Sequence, residues 1–268
     1  MSEPPEHPRR NRNSAWPPLA GLPLALLLIL PLFALVAHVR PSRFLHDLLQ
    51  PATLKAIVLS LATSVTTVIL SVLFGTALAH CLARRQFPGQ GILETLISLP
   101  MVLPPAVAGI ALLLTFARGG WLGTTLATLG MEVVFTPLAV VIAQTFVSAP
   151  YYVKSATIGL ANVSRSLEEA AALDGASPWQ TFRDVTVPVA WRALVGGAVL
   201  CWARALGEFG ATIIFAGNYP GRTQTMPLAI YIGFQIDPDQ ALALAAVLLA
   251  LSFALLMAIR LSFSQILP

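Results

Sequence analysis

The chain has 268 residues, of which 56% are hydrophobic and 10% charged, with a mean hydropathy of +0.77 and a formal net charge of +4. Soluble domains carry roughly 25% charged residues. This chain therefore has too few polar groups to cover a water-facing surface and needs lipid as its solvent. The small positive excess is ordinary for loops facing anionic lipid and does not point to nucleic acid.

Residues 1–18 are polar, contain Pro4, Pro5, Pro8, Pro17 and Pro18, and read as a disordered cytoplasmic tail. The rest, 19–268, reads as a single transmembrane domain of the all-α polytopic class with about six spans. The first apolar run, 19–39, follows Arg9, Arg10 and Arg12. It is longer than a signal-peptide core and no A-x-A site stands at its end, so a retained span is expected. The second run is 57–79, and the third, 92–116, is interrupted by Pro100, Pro104 and Pro105. Prolines free backbone groups, which lipid tolerates only where they face protein or a watery cavity. That places the three prolines toward a translocation path, with a simple packing kink as the alternative. The fourth run, 133–149, contains Pro137; the fifth, 193–216, carries Arg204 and Glu208; the sixth is 241–259.

Six spans put both termini on one side. That side receives Arg9, Arg10, Arg12, Arg84, Arg85, Lys154, Arg165, Arg183, Arg192 and Arg260. The other receives Arg40, Arg43, Lys55, Arg118 and Arg222, so the first side is expected to be cytoplasmic. Arg204 and Glu208 are four apart and are expected on one helical face, where they can pair. With Gly207 beside them they line a candidate pathway, or else form a self-satisfied pair that permits insertion.

The longest hydrophilic loop, 151–192, is then cytoplasmic and is expected to hold two short helices. Ser166-Leu167-Glu168-Glu169 has the form of a capping box, Ala170, Ala171 and Ala172 continue a helix, and Gly175 can close it in the left-handed conformation. Ser177-Pro178-Trp179-Gln180 opens a second helix, which Pro188 is expected to stop. Cys81 and Cys201 are far apart, and His7, His38, His46 and His80 show no ligand spacing, so neither a disulfide nor a metal site is expected.

This loop also carries a pattern. Glu169-Ala170-Ala171, Gly175, Val185, Val187 and Pro188, in that spacing, resemble the EAA loop of binding-protein-dependent ABC importer permeases. Valines stand where the family consensus has Ile and Leu. The segments Arg204–Thr212, Phe215–Thr225 and Pro227–Tyr231, with Leu99–Pro105, resemble the molybdate, tungstate and sulfate permeases from about Leu54 onward. The resemblance implies import of an oxyanion, molybdate or tungstate ahead of sulfate, by a homodimer. It further implies two cytoplasmic ATPase subunits docked on the loop, and a periplasmic or surface binding protein that delivers the cargo. Glu169 would pair with a basic residue of the ATPase, its capping role being the alternative.

The chain itself has no G-x-x-x-x-G-K-[ST] phosphate loop, since its lysines are Lys55 and Lys154 and neither completes that motif. ATP with its magnesium therefore belongs to the partner, this chain binds no cofactor, and no catalytic residue is expected in it. There is no G-x-S-x-G elbow for hydrolysis. A secondary transporter coupled through Glu208, with Glu94 and Glu132 near span ends, is the alternative class, but no inverted repeat is visible.

Overall fold

The computed structural model describes residues 16–264, with side-chain surroundings over 21–257. The polar tail as far as residue 15, with His7, Arg9, Arg10 and Arg12, lies outside the described residues. Every regular element among the described residues is helical: α1 (Trp16–Ala37), α2 (Pro41–Leu49), α3 (Pro51–Arg84), α4 (Gln90–Val102), α5 (Pro105–Phe116), α6 (Gly123–Thr128), α7 (Pro137–Ala161), α8 (Arg165–Leu173), α9 (Pro178–Thr181), a π segment (Phe182–Thr186), α10 (Val187–Leu206), α11 (Gly210–Phe215), α12 (Met226–Ile236) and α13 (Pro238–Ser264).

Three helical stretches are long and apolar enough to cross a membrane: Pro51–Arg84, Pro178–Leu206 and Pro238–Met257. Two bent pairs, α1 with α2 at 81° and α4 with α5 at 116°, raise the number to five. The 25 residues of α7, at about 1.5 Å each, are long enough for a sixth.

Helices in lipid gain little from hiding apolar surface from other apolar surface, so they pack through small residues and interhelical hydrogen bonds. The centre of this fold is built that way. Along α3 a buried stripe runs Ser60, Ser64, Thr67, Ser71, Gly75 and Ala79, at helical spacing. Thr67 Oγ1 donates to Gln144 Oε1 of α7 at 3.3 Å, Trp202 Nε1 of α10 donates to Ser64 Oγ at 2.9 Å, and the Met226 amide donates to Ser60 Oγ at 2.7 Å. A Cβ on Gly75 would stand 2.9 Å from the Tyr152 ring, and one on Gly159 would stand 2.2 Å from Ala193 Cβ. So Gly75 of α3 makes room for the Tyr152 ring of α7, and Gly159 lets α7 and α10 approach at nearly backbone distance.

Several expected boundaries differ. The span read at 92–116 is two helices, because Pro104 and Pro105 turn the chain through 116° between them. The span read at 133–149 continues to Ala161, so the loop expected from 151 begins near Asn162. Beyond residue 149, Tyr152, Val153, Ala156 and Leu160 keep the same face buried. The span read at 193–216 ends at Leu206, and the chain breaks at Gly207-Glu208-Phe209 before α11. Pro188 does not stop a helix. It sits in the first turn of α10, and the run from Pro178 to Leu206 stays helical through it. A helical proline clashes with the carbonyl four residues back, here that of Asp184. That carbonyl lies in the π segment, where the Val187 amide reaches back five residues to Phe182 O. The wider turn accommodates the ring.

Candidate functional site

Two regions gather the residues singled out from the sequence. The first is the hairpin between α7 and α10. Here α8 closes with Gly175 at φ +88, the Ala176 amide donating to Ala171 O at 3.0 Å and the Gly175 amide to Ala172 O at 3.1 Å. This pair of bonds is a Schellman motif, and it needs the left-handed residue that glycine supplies. Ser177 then caps α9, accepting from the Gln180 amide while Gln180 Oε1 accepts from the Ser177 amide, as the capping-box reading expected. The other expected box does not form. Ser164 is the N-cap of α8, Ser166 lies inside the helix, and their hydroxyls meet at 2.7 Å.

The hairpin projects apolar and acidic groups outward. Leu173 is 89% exposed and Trp179 64%. Glu169 and Ala170 are exposed and Ala171 is half-buried. Glu169 has no intrachain hydrogen bond or ion pair among the described residues, so its carboxylate is free for a partner. The adjacent Glu168, which sequence reasoning treated as part of a cap, instead bonds to the spans. Its Oε1 accepts from Arg84 Nη2 at 2.7 Å and from Thr186 Oγ1 at 2.6 Å. The same Arg84 nitrogen donates to Val163 O at 3.0 Å. In the sequence Arg84 stands 84 positions away, and nothing local announces the contact.

The second region is the meeting of two broken spans. Arg204 Nη1 lies 2.7 Å from Glu208 Oε2, so the expected pair forms, although Glu208 lies beyond the end of its helix. The charges touch obliquely, and no well-aligned hydrogen bond reaches Oε2. The other oxygen, Oε1, accepts from the Ala211 amide at 2.8 Å and so satisfies the start of α11. Glu208 is fully buried, whereas the Arg204 side chain is 27% exposed. Gly207 is exposed, and a Cβ there would meet only Ala203 O, at an ordinary 3.7 Å. A Cβ on Gly210 would fall 2.5 Å from Pro105 Cβ, and one on Gly109 would fall 2.9 Å from Ala211 O. The break after Glu208 is thus seated on the break at Pro104-Pro105. Pro104 and Pro105 are exposed on the single chain, while Pro100 is buried inside α4. The structure therefore seats Pro105 on Gly210, two residues beyond the Arg204–Glu208 pair, and holds Pro100 inside α4. Among the described residues no His, Cys, Asp or Glu cluster could hold a metal.

Residues 71–263 match the family described as binding-protein-dependent transport system inner membrane component. The chain belongs to that family. It is 39% identical over 252 residues to the probable transport system permease protein NifC of Clostridium pasteurianum, covering 91% of this chain and 88% of the relative. It is 41% identical to the molybdenum transport system permease protein ModB of Mycobacterium tuberculosis, covering 88% of each. The sulfate transport system permease protein CysT of Escherichia coli is 37% identical, covering 88% of this chain and 87% of its own. A crystal structure of a bacterial alginate ABC transporter superposes with a TM-score of 0.68 at 17% identity, over 91% of this chain and 90% of the other. The fold of this inner membrane component is accordingly that of an ABC importer's transmembrane subunit. The secondary-transporter alternative is set aside by the family match.

Proposed function

We propose that this permease is half of a homodimeric importer that carries molybdate or tungstate into the cytoplasm. It works with two copies of a separate ATPase and an external oxyanion-binding protein. The observation that carries the cargo is the 41% identity, over 88% of the chain, to permeases named for molybdenum transport. A sulfate cargo is the second reading, favoured by 37% identity to CysT over the same share of the chain.

The chain sits in the inner membrane with several passes and both termini cytoplasmic, in accord with ten Lys and Arg against five. The α8–α9 hairpin seats in a cleft of the ATPase, with Glu169 facing a basic residue there. ATP and its magnesium stay on that partner, and closure of the ATPase pair tilts the spans as rigid bodies. The oxyanion passes the two spans where they break. There Arg204 offers a partly exposed cation and Glu208 keeps the attraction weak, since a pathway must release what it binds. Uptake of labelled molybdate, tungstate and sulfate by the reconstituted complex is the test. Efficient molybdate uptake with little sulfate is expected. Sulfate uptake without molybdate uptake assigns the cargo to the second reading.

A further inference from the structure

The docking helix α8 has an unusual standing in the fold. It has no buried residue, so apolar packing does not fix its position. Its side-chain hydrogen bonds to the spans, among the described residues, all converge on one atom, Glu168 Oε1. Arg84, from the end of α3, reaches that oxygen at 2.7 Å, and Thr186, from the π segment leading into α10, reaches it at 2.6 Å. Arg84 also holds Val163 O, the last turn before α8, at 3.0 Å. The Arg84 and Glu168 side chains are 12% and 21% exposed, so water competes weakly for the contact. Charge-assisted bonds of this length are the strong kind. Glu169, next in sequence, makes none of these contacts and faces outward.

We propose that Glu168 is the positioning residue that makes the docking helix move as one body with α3 and α10. This rests on the reading that the α8–α9 hairpin is the ATPase seat. Two adjacent carboxylates then divide the work. Glu169 meets the ATPase, and Glu168 passes the displacement inward through Arg84 to α3 and through Thr186 to α10. Those two helices flank α7, and α10 ends at the Arg204–Glu208 break. Without the clamp, α8 stays seated on the ATPase but slides against the spans. The load then falls on the short covalent links at Asn162–Ser164 and Asp174–Ser177.

The test uses the whole complex, with ATPase and binding protein, in proteoliposomes. Glu168→Ala, Glu168→Gln, Thr186→Val and Glu169→Ala are compared for ATPase retained through purification and for cargo moved per ATP hydrolysed. Glu168→Ala is expected to retain the ATPase within about twofold while cargo per ATP falls tenfold or more. Glu168→Gln, which keeps the shape and loses the charge, falls between it and wild type. Thr186→Val removes one tie with no change of size and costs several-fold, so the test survives if Glu168→Ala does not assemble. Glu169→Ala instead loses ATPase retention. Unchanged cargo per ATP in Glu168→Ala or in Thr186→Val overturns the clamp, as does a loss that merely tracks ATPase retention. A wild-type chain that retains no ATPase overturns the docking reading itself, and the clamp's role with it.

Discussion

At Gly175 the conformational demand and the spatial demand separate cleanly. Its φ is +88, and a Cβ there would meet nothing within 4 Å. A substitution is penalised by backbone conformation alone, about 1–2 kcal/mol for an ordinary L-residue. Asparagine tolerates this conformation and valine does not. Gly175→Asn is therefore expected to keep ATPase retention and uptake near wild type, and Gly175→Val to lose both several-fold. Equal behaviour of the two variants in a pull-down and uptake assay would show that the turn does not aim the hairpin. Arg204 and Glu208 divide differently. Glu208→Gln preserves an oxygen for the Ala211 amide, so insertion and assembly are expected to survive while the uptake rate falls. Arg204→Ala strands a fully buried carboxylate, and breaking such a pair costs about 3–5 kcal/mol. It is expected to lower both expression and uptake. If both variants carry cargo at the wild-type rate at matched expression, the pair serves insertion and the pathway runs elsewhere.

Among elements, the two broken spans behave as one joint. Gly210 lets Pro105 approach to a distance no Cβ permits, and Gly109 does the same for Ala211. Gly210→Val would wedge the two breaks apart. The chain is expected to insert and bind its ATPase, with uptake lowered at least tenfold, as measured in proteoliposomes. Wild-type uptake in that variant would mean the joint is free to open. The three prolines in one apolar run marked the first break in the sequence. The second was hidden because Arg204 and Glu208, four apart, fit a continuous helix as well as a broken one. Chain reversal at Gly175 and the cap at Ser177 were legible because each depends on neighbours within a few residues. Glu168 was not, since its partners come from elements far apart in the chain. Nor was the polar stripe of α3, whose serines and threonines are small enough to vanish into an apolar run.

For the whole molecule, the absence of a phosphate loop in the sequence has a direct outcome. Homogeneous chain in detergent is expected to release no phosphate from ATP, and hydrolysis should begin when the partner ATPase is added. Turnover by the chain alone, after removal of contaminants, would contradict this. The central position of α7 bears on something separate, the order of biogenesis. This helix is not among the three stretches that qualify as spans by themselves. It carries Gln144, Ser148 and Tyr152, all buried against neighbours. Gln144 is answered by Thr67 and Tyr152 by Thr76, both on α3, which leaves the ribosome first. Cys201 and Ala193 of α10, which bond Ser148 and Ser155, arrive later. Helix α7 is thus translated into a bilayer where Gln144 and Tyr152 already have partners on α3 and Ser148 donates to its own Gln144 carbonyl, while Ser155 must wait for Ala193. Until α10 follows, α7 is held in the lipid by the helices made before it, chiefly α3, with α4 and α5 beside it.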